Sequence, residues 1–530
     1  MVATPEPSGY EICGTIVSST MRPEFGATNL DYGLLMSNVE RAMGGRKLTQ
    51  QDLLYESLRR AILDGDIRHG SRLLATRALA EQLGIARNSV LYAYERLTDE
   101  GFITASRHGS IVSMVSGSGT SNSAASGGVQ TPENRLSRRV ADLPRERTSP
   151  DDPTPFRPGV PALDEFPLAQ WRASMERAWR SVEPRELGYG NNAGHPALRR
   201  SIAEYVRVSR GVRCSAEQVF ITSGTQASLD LCACMLADPG DSVWVEDPGY
   251  HGAKAAFQAA GLKLVPIPVD AAGMAPTPDH WDQTPPRLMY ITPSHQYPLG
   301  SVLSLERRWS IIENAVARGA WIIEDDYDSE LRHSGPPLPS IQGLAADTPV
   351  IYLGTFSKTM FPALRMGFMV VPAHLVADID EALSEIARQG RVAEQIALAD
   401  FIDSGKYARH LRRMRRLYQQ RRTALVNAIE RHMGDLVTVS SDGGGIHLTM
   451  RLDAPLRDQD VSAVTREHGL HIAALSAFCQ PPAQDAAHYN GFMLGYAGIK
   501  PHEADALVVR LAAVLRELDH ERRIVMNKAS

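Results

Sequence analysis

The sequence predicts an α/β protein with a separate, mainly helical head near its N-terminal end, and three observations carry that reading. From Phe156 onward short apolar runs (VFIT, SVWVE, LMYIT, AWIIED, VIYLGT) alternate with helical stretches, the pattern of a largely parallel sheet. Residues 48–115 instead show closely spaced amphipathic helices followed by a β-ribbon. Between the two lies GSGTSNSAASGG (117–128), poor in apolar residues. At 530 residues the chain is also too long for one ordinary core.

Composition narrows the class. With 43% hydrophobic and 22% charged residues the chain reads as globular. A formal net charge of −5 gives no whole-chain attraction to nucleic acid, so any DNA contact must be local. Cys13, Cys214, Cys232, Cys234 and Cys479 lack metal-ligand spacing and read as small buried residues in a reducing compartment. MVATPEPSGYEICG has neither a basic nor an apolar leader region, and no run approaches the roughly 20 apolar residues that span a bilayer. A cytoplasmic location is expected, with no metal and no membrane partner.

Residues 1–47 read as a poorly ordered extension with one weak helical stretch, LLMSNVERAM (34–43). In LLYESLRRAILDG (53–65) apolar residues fall at 54, 58, 61 and 62, one helical face that ends at Gly65. Thr76 is placed to N-cap RALAEQLG (77–84), closed by Gly84, and ARNSVLYAYERLTDEG (86–101) gives a further helix. FITASRHGSIVSM (102–114) alternates as two strands joined at His108-Gly109. The order is that of a winged helix–turn–helix. Residues 116–150 read as a flexible tether, spanning about 30 Å if it behaves as a Gly/Ser-rich coil. Residues 151–520 form the α/β body, with a smaller α+β lobe over about 400–520.

In a helix–turn–helix the N-terminal residues of the second helix meet the base edges. Here they are Arg87, Asn88 and Ser89, with Tyr92 one turn later. Arg pairs bidentately with guanine and Asn with adenine. Arg77 is placed for a phosphate or base, and Arg107 and His108 form the wing tip. Eight arginines balance eight acids over 48–115, so the head is neutral, and a helical protein-binding module is the alternative. The stretch from DLLYESLRRAILDGDIRHG to YERLTDEGFI closely resembles the GntR-type winged-helix domain, which implies binding to operator double-stranded DNA.

IYLGTFSKTMFPALRMGF (351–368) places Lys358 in a small polar turn between apolar runs, a setting for Schiff-base chemistry. VFITSGTQASLDL puts Gly224, Thr225 and Gln226 at a helix start, where backbone N–H groups stabilise a phosphate dianion. AWIIEDDYDSEL sets Asp325, Asp326 and Tyr327 at the C-terminal end of a buried strand, where open α/β sheets bind ligands. An acid there can keep a pyridine nitrogen protonated. Tyr250, in VEDPGYHGAK, offers a flat ring for stacking.

From about Phe156 to the C-terminus these segments, with FRPGVPALDEFPLAQW, EDDYDSE and TPSHQYPLG, resemble fold type I pyridoxal-phosphate enzymes of the class I/II aminotransferase group. Joined to the head, the whole resembles the MocR subfamily of bacterial transcriptional regulators. The resemblance implies pyridoxal 5'-phosphate bound to Lys358, Asp325 on the pyridinium nitrogen, Tyr327 on the ring hydroxyl and Tyr250 on the ring face. A two-residue spacing to the tyrosine, where ordinary aminotransferases have three, leaves Asp326 as the alternative acid. It further implies phosphate ligands at Gly224, Thr225, Thr355 and Arg365. Tyr189 would reach the partner's phosphate in a domain-swapped homodimer.

Two arginines that hold substrate carboxylates in this group are not found. Met493 stands where one belongs, and LSAFC (475–479) has Ala477 where regulators sensing γ-aminobutyrate carry the other. The expectation is a regulator that senses a small amine, an amino acid or pyridoxal phosphate itself, without efficient turnover though with room for a residual half-reaction. Arg388 and Arg391 are candidate effector ligands. A working aminotransferase with an appended head is the alternative. Finally, the arginines of YARHLRRMRRLYQQRR (407–422) flank an apolar stripe and read as a solvated helix face.

Overall fold

The computed structural model describes residues 30–42, 48–106, 109–113, 137–141, 143, 154–333, 338–345, 347–387, 390–440, 444–480 and 489–529. The chain divides into two compact units, Met1–Thr131 and Pro132–Ser530.

The first unit contains α1 (Tyr32–Ala42), α2 (Gln50–Leu63), α3 (Thr76–Leu83), α4 (Arg87–Asp99), β1 (Ile103–Ser106) and β2 (Gly109–Val112). Thr49 caps α2, its hydroxyl accepting from the Asp52 amide, and Asp52 suits the positive end of the helix. The expected apolar face of α2 meets Leu79, Val90, Ala93, Leu97, Ile103 and Val112 in one core. Gly84 closes α3 in the left-handed region at φ 65°, so the chain turns into α4 within three residues. Thr76 is not the cap expected of it: α3 begins at Thr76 itself, after Ala75, and no side chain caps it. The ribbon is antiparallel, Ile103 opposite Val112. Arg107 and His108 lie outside the described residues, as does most of 116–150.

The stretch read as an extension contributes more than a weak helix. In α1, Tyr32, Leu35, Met36 and Val39 fall at i, i+3, i+4 and i+7. Tyr32 is buried in the head's core, with Leu35 and Met36 packed against it. The sequence reading began this helix at Leu34 and so left out its aromatic anchor.

The second unit opens with a helical turn, α5 (Arg138–Ala141), then α6 (Leu168–Ser181) and α7 (Pro196–Arg210). Next come β3 (Val219–Thr222), α8 (Thr225–Leu236), β4 (Ser242–Asp247), α9 (His251–Ala259), β5 (Lys263–Asp270) and β6 (Gly273–Met274). The chain continues with α10 (Pro278–Gln283), β7 (Leu288–Ile291), α11 (Leu305–Arg318), β8 (Trp321–Asp326), β9 (Val350–Thr355) and β10 (Gly367–Val370). These strands form one sheet in the order β3-β10-β9-β8-β7-β4-β5-β6. It is parallel from β9 through β5, while β10 runs antiparallel to both β9 and β3.

Alternate residues of each central strand serve opposite cores. Val243, Val245, Tyr290, Ile323 and Leu353 pack with α8 and α9. Trp244, Met289, Ile322 and Val350 pack with Ile311 and Ile312 of α11. Burial on both faces is why these strands read as unbroken apolar runs.

Three helices follow, α12 (Val376–Ile386), α13 (Val392–Asp403) and the long α14 (Lys406–Met433). The smaller lobe holds β11 (Val437–Val439), β12 (His447–Leu452), α15 (Asp458–Glu467), β13 (Ala473–Ala474), β14 (Gly491–Gly495) and α16 (Ala504–Ala529). Its antiparallel sheet runs β11-β12-β14-β13. On α14, Leu411, Met414 and Tyr418 are buried, while Arg412 and Arg416 are exposed. Arg413 pairs with Glu165 at 2.8 Å, and Arg421 donates to the Ala497 carbonyl. Among the described residues no helix is long and apolar enough to cross a membrane.

Tyr32→Ala should cost the head about 3 kcal/mol, the scale for removing a buried aromatic side chain. Calorimetry on the full chain would show the head's transition falling while that of the α/β unit stays in place.

Candidate functional site

The parallel strands deliver polar residues to one end of the sheet: Asp325 and Asp326 close β8, and Thr355 closes β9. A cavity there is lined by Gly159, Thr225, Gln226, Tyr250, Tyr290, Tyr297, Asp325, Tyr327, Thr355, Ser357, Lys358, Pro362, Arg365, Ile446 and His447.

One part of the cavity is built for an anion. Gly224 precedes α8 at φ 99°, a conformation that glycine adopts without strain. A Cβ there would lie 3.8 Å from the Arg365 guanidinium, and one on Gly367 would lie 3.0 Å from the Gly224 Cα. Arg365 itself sits in the left-handed region at φ 45°, uncommon for a side-chain-bearing residue. Arg391 braces that turn, its Nη1 donating to the Leu364 and Arg365 carbonyls at 2.8 Å each. Thr355 Oγ1 donates to Ser357 Oγ at 3.1 Å. Helix amides, hydroxyls and a guanidinium together make a donor set for a phosphate.

The two acids of β8 separate by strand alternation. Asp326 is tied to Arg210 Nε at 2.5 Å and accepts from Tyr352 at 2.6 Å. Asp325 lines the cavity instead. Tyr290 donates to its Oδ2 at 2.7 Å, while Oδ1 is buried with no partner among the described residues. Burial pushes the Asp325 carboxyl up to about 7, Asp326 and Asp328 adding to this, Tyr290 and Lys358 opposing it. A carboxylate of this kind is complementary to a protonated ring nitrogen.

Lys358 is half-buried, its Nζ donating to the Gly159 carbonyl at 2.6 Å. Burial lowers its pKa against the pull of Asp328 and Asp325, which favours the neutral, nucleophilic amine. Tyr250 stands edge-on to Tyr297 at 5.6 Å. A Cβ on Gly252 would fall 2.4 Å from the Tyr250 ring, so the glycine is what lets that ring fold back over the start of α9. The Tyr327 hydroxyl lies 3.1 Å from His295 Nδ1, and Asp328 holds that nitrogen at 3.0 Å.

Thus Thr225, Gln226, Tyr250, Asp325, Tyr327, Thr355, Lys358 and Arg365 gather around one cavity, with Gly224 under Arg365. Tyr189 does not join them. It is 80% exposed, in a separate groove with Arg185, His195 and Gln395. Met493 is buried in an apolar cluster with Leu475 and Phe478, and Ala477 is exposed on another depression. Arg391, expected as an effector ligand, has Nη1 committed to backbone carbonyls, and Arg388 lies outside the described residues.

Sequence reasoning missed Gly159, Tyr290, Tyr297, Ser357 and His447. Ser357 and Tyr290 carried a signal, the one beside the lysine and the other a polar tip in an apolar strand. Gly159 and His447 come from remote segments that only folding brings in.

In the head, Arg77, Arg87, Asn88 and Tyr92 are exposed and Ser89 is half-buried. Acids are engaged away from the start of α4: Arg96 pairs with Glu100 and Asp52, and Tyr55 donates to Glu100 at 2.5 Å. A locally basic helix N-terminus is left on a neutral domain.

Comparison with known proteins agrees with both halves. Residues 159–485 match the family "Aminotransferase class I and II", and residues 50–112 match "Bacterial regulatory proteins, gntR family". The probable rhizopine catabolism regulatory protein MocR of Rhizobium meliloti is 40% identical over 90% of this chain and 96% of its own. The pyridoxine biosynthesis transcriptional regulator PdxR of Corynebacterium glutamicum is 31% identical over 87% and 94%. A crystallised kynurenine aminotransferase of Pyrococcus horikoshii, in complex with PMP, superposes with TM-score 0.64 at 25% identity, over 72% and 97%. Fold and site therefore define a DNA-binding transcriptional regulator whose larger unit is built like an aminotransferase. The chain belongs to the MocR type of GntR-family regulators.

An acid whose pKa is higher in the folded state than in the unfolded one holds its proton more tightly when folded. Its contribution is complete below the unfolded value near 4 and is lost as the pH climbs to about 7. In the chain without added ligand, Asp325→Asn should therefore raise the melting temperature relative to wild type at pH 8 more than at pH 5. Thermal melts at the two pH values read the difference.

Proposed function

We propose that the cavity binds pyridoxal 5'-phosphate at Lys358 and that its occupancy sets the affinity of the head for operator DNA. The observation that carries this reading is the buried Oδ1 of Asp325, unpartnered among the described residues, in one cavity with the half-buried Lys358. Thr355, Arg365, Thr225 and the amides around Gly224 and Gln226 would hold the phosphate. Asp325 would keep the ring nitrogen protonated, Tyr327 would meet the ring hydroxyl, and Tyr250 would cover the ring face. The bound cofactor supplies an electrophilic carbonyl and an electron-withdrawing ring. Lys358 is the attachment point, and Gly159 orients its amine through the 2.6 Å hydrogen bond.

The effector is a small amine, an amino acid or the cofactor itself. The absent carboxylate clamps at Met493 and Ala477 favour sensing over turnover. For sensing to work, the ligand must bind one arrangement of the regulator better than another. Tyr189, exposed and remote from its own cavity, fits a homodimer in which it reaches the partner's phosphate. The setting is the bacterial cytoplasm.

Two variants test the two halves. Lys358→Ala should abolish the protein-bound visible absorption of pyridoxal phosphate and leave operator affinity indifferent to the cofactor. Arg87→Ala should weaken operator binding by about 1–3 kcal/mol with the absorption intact. A wild-type operator affinity that ignores the cofactor would sink the coupling. Rapid conversion to the pyridoxamine form with a natural amino acid would return the site to enzymes.

A further inference from the structure

Among the described residues, the four-stranded sheet gives the cavity one polar side chain, His447 at the start of β12. Its ring is buried and held by its neighbours. His295 stacks on it at 5.1 Å and 27°, and Tyr297 meets it edge-on at 5.7 Å. Asp328 in turn clamps His295, at 3.1 and 3.0 Å from Nδ1. The His447 ring hydrogen-bonds the Pro298 carbonyl, which requires an N–H on that side. Its other nitrogen, Nε2, is buried and has no partner among the described residues. Burial, with His295 and Lys358 close by, holds the ring well below the ordinary histidine range and so neutral. Nε2 is then a lone pair, an acceptor fixed in place by the bond on the far side of the ring.

A buried acceptor without a donor is costly, and the simplest remedy is a ligand that brings the donor. A carboxylate cannot, because it offers only acceptors. The rest of the wall points the same way. Among the described residues lining the cavity the one guanidinium is Arg365, which lies over Gly224 at the anion-binding end. Lys358 is flanked by the carboxylates of Asp325 and Asp328, which disfavour a second anion beside it.

We infer that His447 is a specificity-determining residue that accepts a hydrogen bond from an effector hydroxyl, and that the effector class is small hydroxylated primary amines. The inference rests on the reading of the Lys358 cavity as a pyridoxal-phosphate sensor, and it names what is sensed. Under it, an amino alcohol satisfies Nε2, whereas the amino acid of equal length sets acceptor against acceptor.

The test uses the full chain loaded with pyridoxal phosphate, loading being measured first by absorption. Ethanolamine against glycine, and 3-amino-1-propanol against β-alanine, are titrated by calorimetry and by operator anisotropy. Wild type should bind at least one amino alcohol about tenfold tighter than its amino-acid counterpart. His447→Phe, which keeps an aromatic ring between His295 and Tyr297 and removes the acceptor, should erase that ratio. His447→Gln, whose amide oxygen accepts, should restore part of it. The inference is overturned if loaded wild type binds neither amino alcohol, if it favours the amino acids, or if His447→Phe leaves the ratio intact. A wild-type chain that takes up no cofactor overturns the sensor reading itself, and that outcome is visible before any amine is added.

Discussion

Two adjacent carboxylates at the end of one buried strand repel each other, and the site depends on how that repulsion is settled. Asp325 and Asp326 point to opposite faces of β8, and Arg210 from α7 neutralises one of them. Arg210 also donates to Ser294 and to the Leu338 carbonyl, so its guanidinium ties a helix to two loops behind the sheet. With Asp326 accounted for, Asp325 is left facing the cavity with one oxygen unmet. An ion pair on the far face thereby decides which acid can serve a ligand. Buried pairs are poor sources of net stability; here the pair's value is in sorting two neighbours.

The same economy governs the arginines. Counted along the sequence they are plentiful enough to bind an acidic effector almost anywhere. In the fold Arg391 braces the strained turn at Arg365, Arg413 and Arg421 hold the segment around Glu165, and Arg415 donates to the Glu330 carbonyl. Guanidinium groups with several donors suit carbonyl-rich loops as well as they suit carboxylates, so their number alone says little about ligand charge.

What could be read beforehand follows from distance along the chain. Strands buried on two faces announce themselves as apolar runs, and polar residues that end such runs mark the ligand-binding edge. Thus Asp325, Thr225 and Lys358 stood out one segment at a time, whereas Thr355 was named through resemblance. Gly159 meets Lys358 across 199 residues, and His447 enters from a different sheet; neither meeting leaves a local trace. Tyr189 was named through resemblance alone, and in the single chain it lies in a separate groove. The supposed cap at Thr76 failed for a smaller reason: a hydroxyl one residue inside the helix start makes no cap.

The match to the gntR family begins at residue 50, yet Tyr32 is packed into the same core as Leu58 and Leu97. The boundary of resemblance and the boundary of cooperative folding are thus different lines, separated by more than a helix. A fragment cut at the edge of the recognisable motif would contain all of α4 and still lack part of the core on which that helix packs.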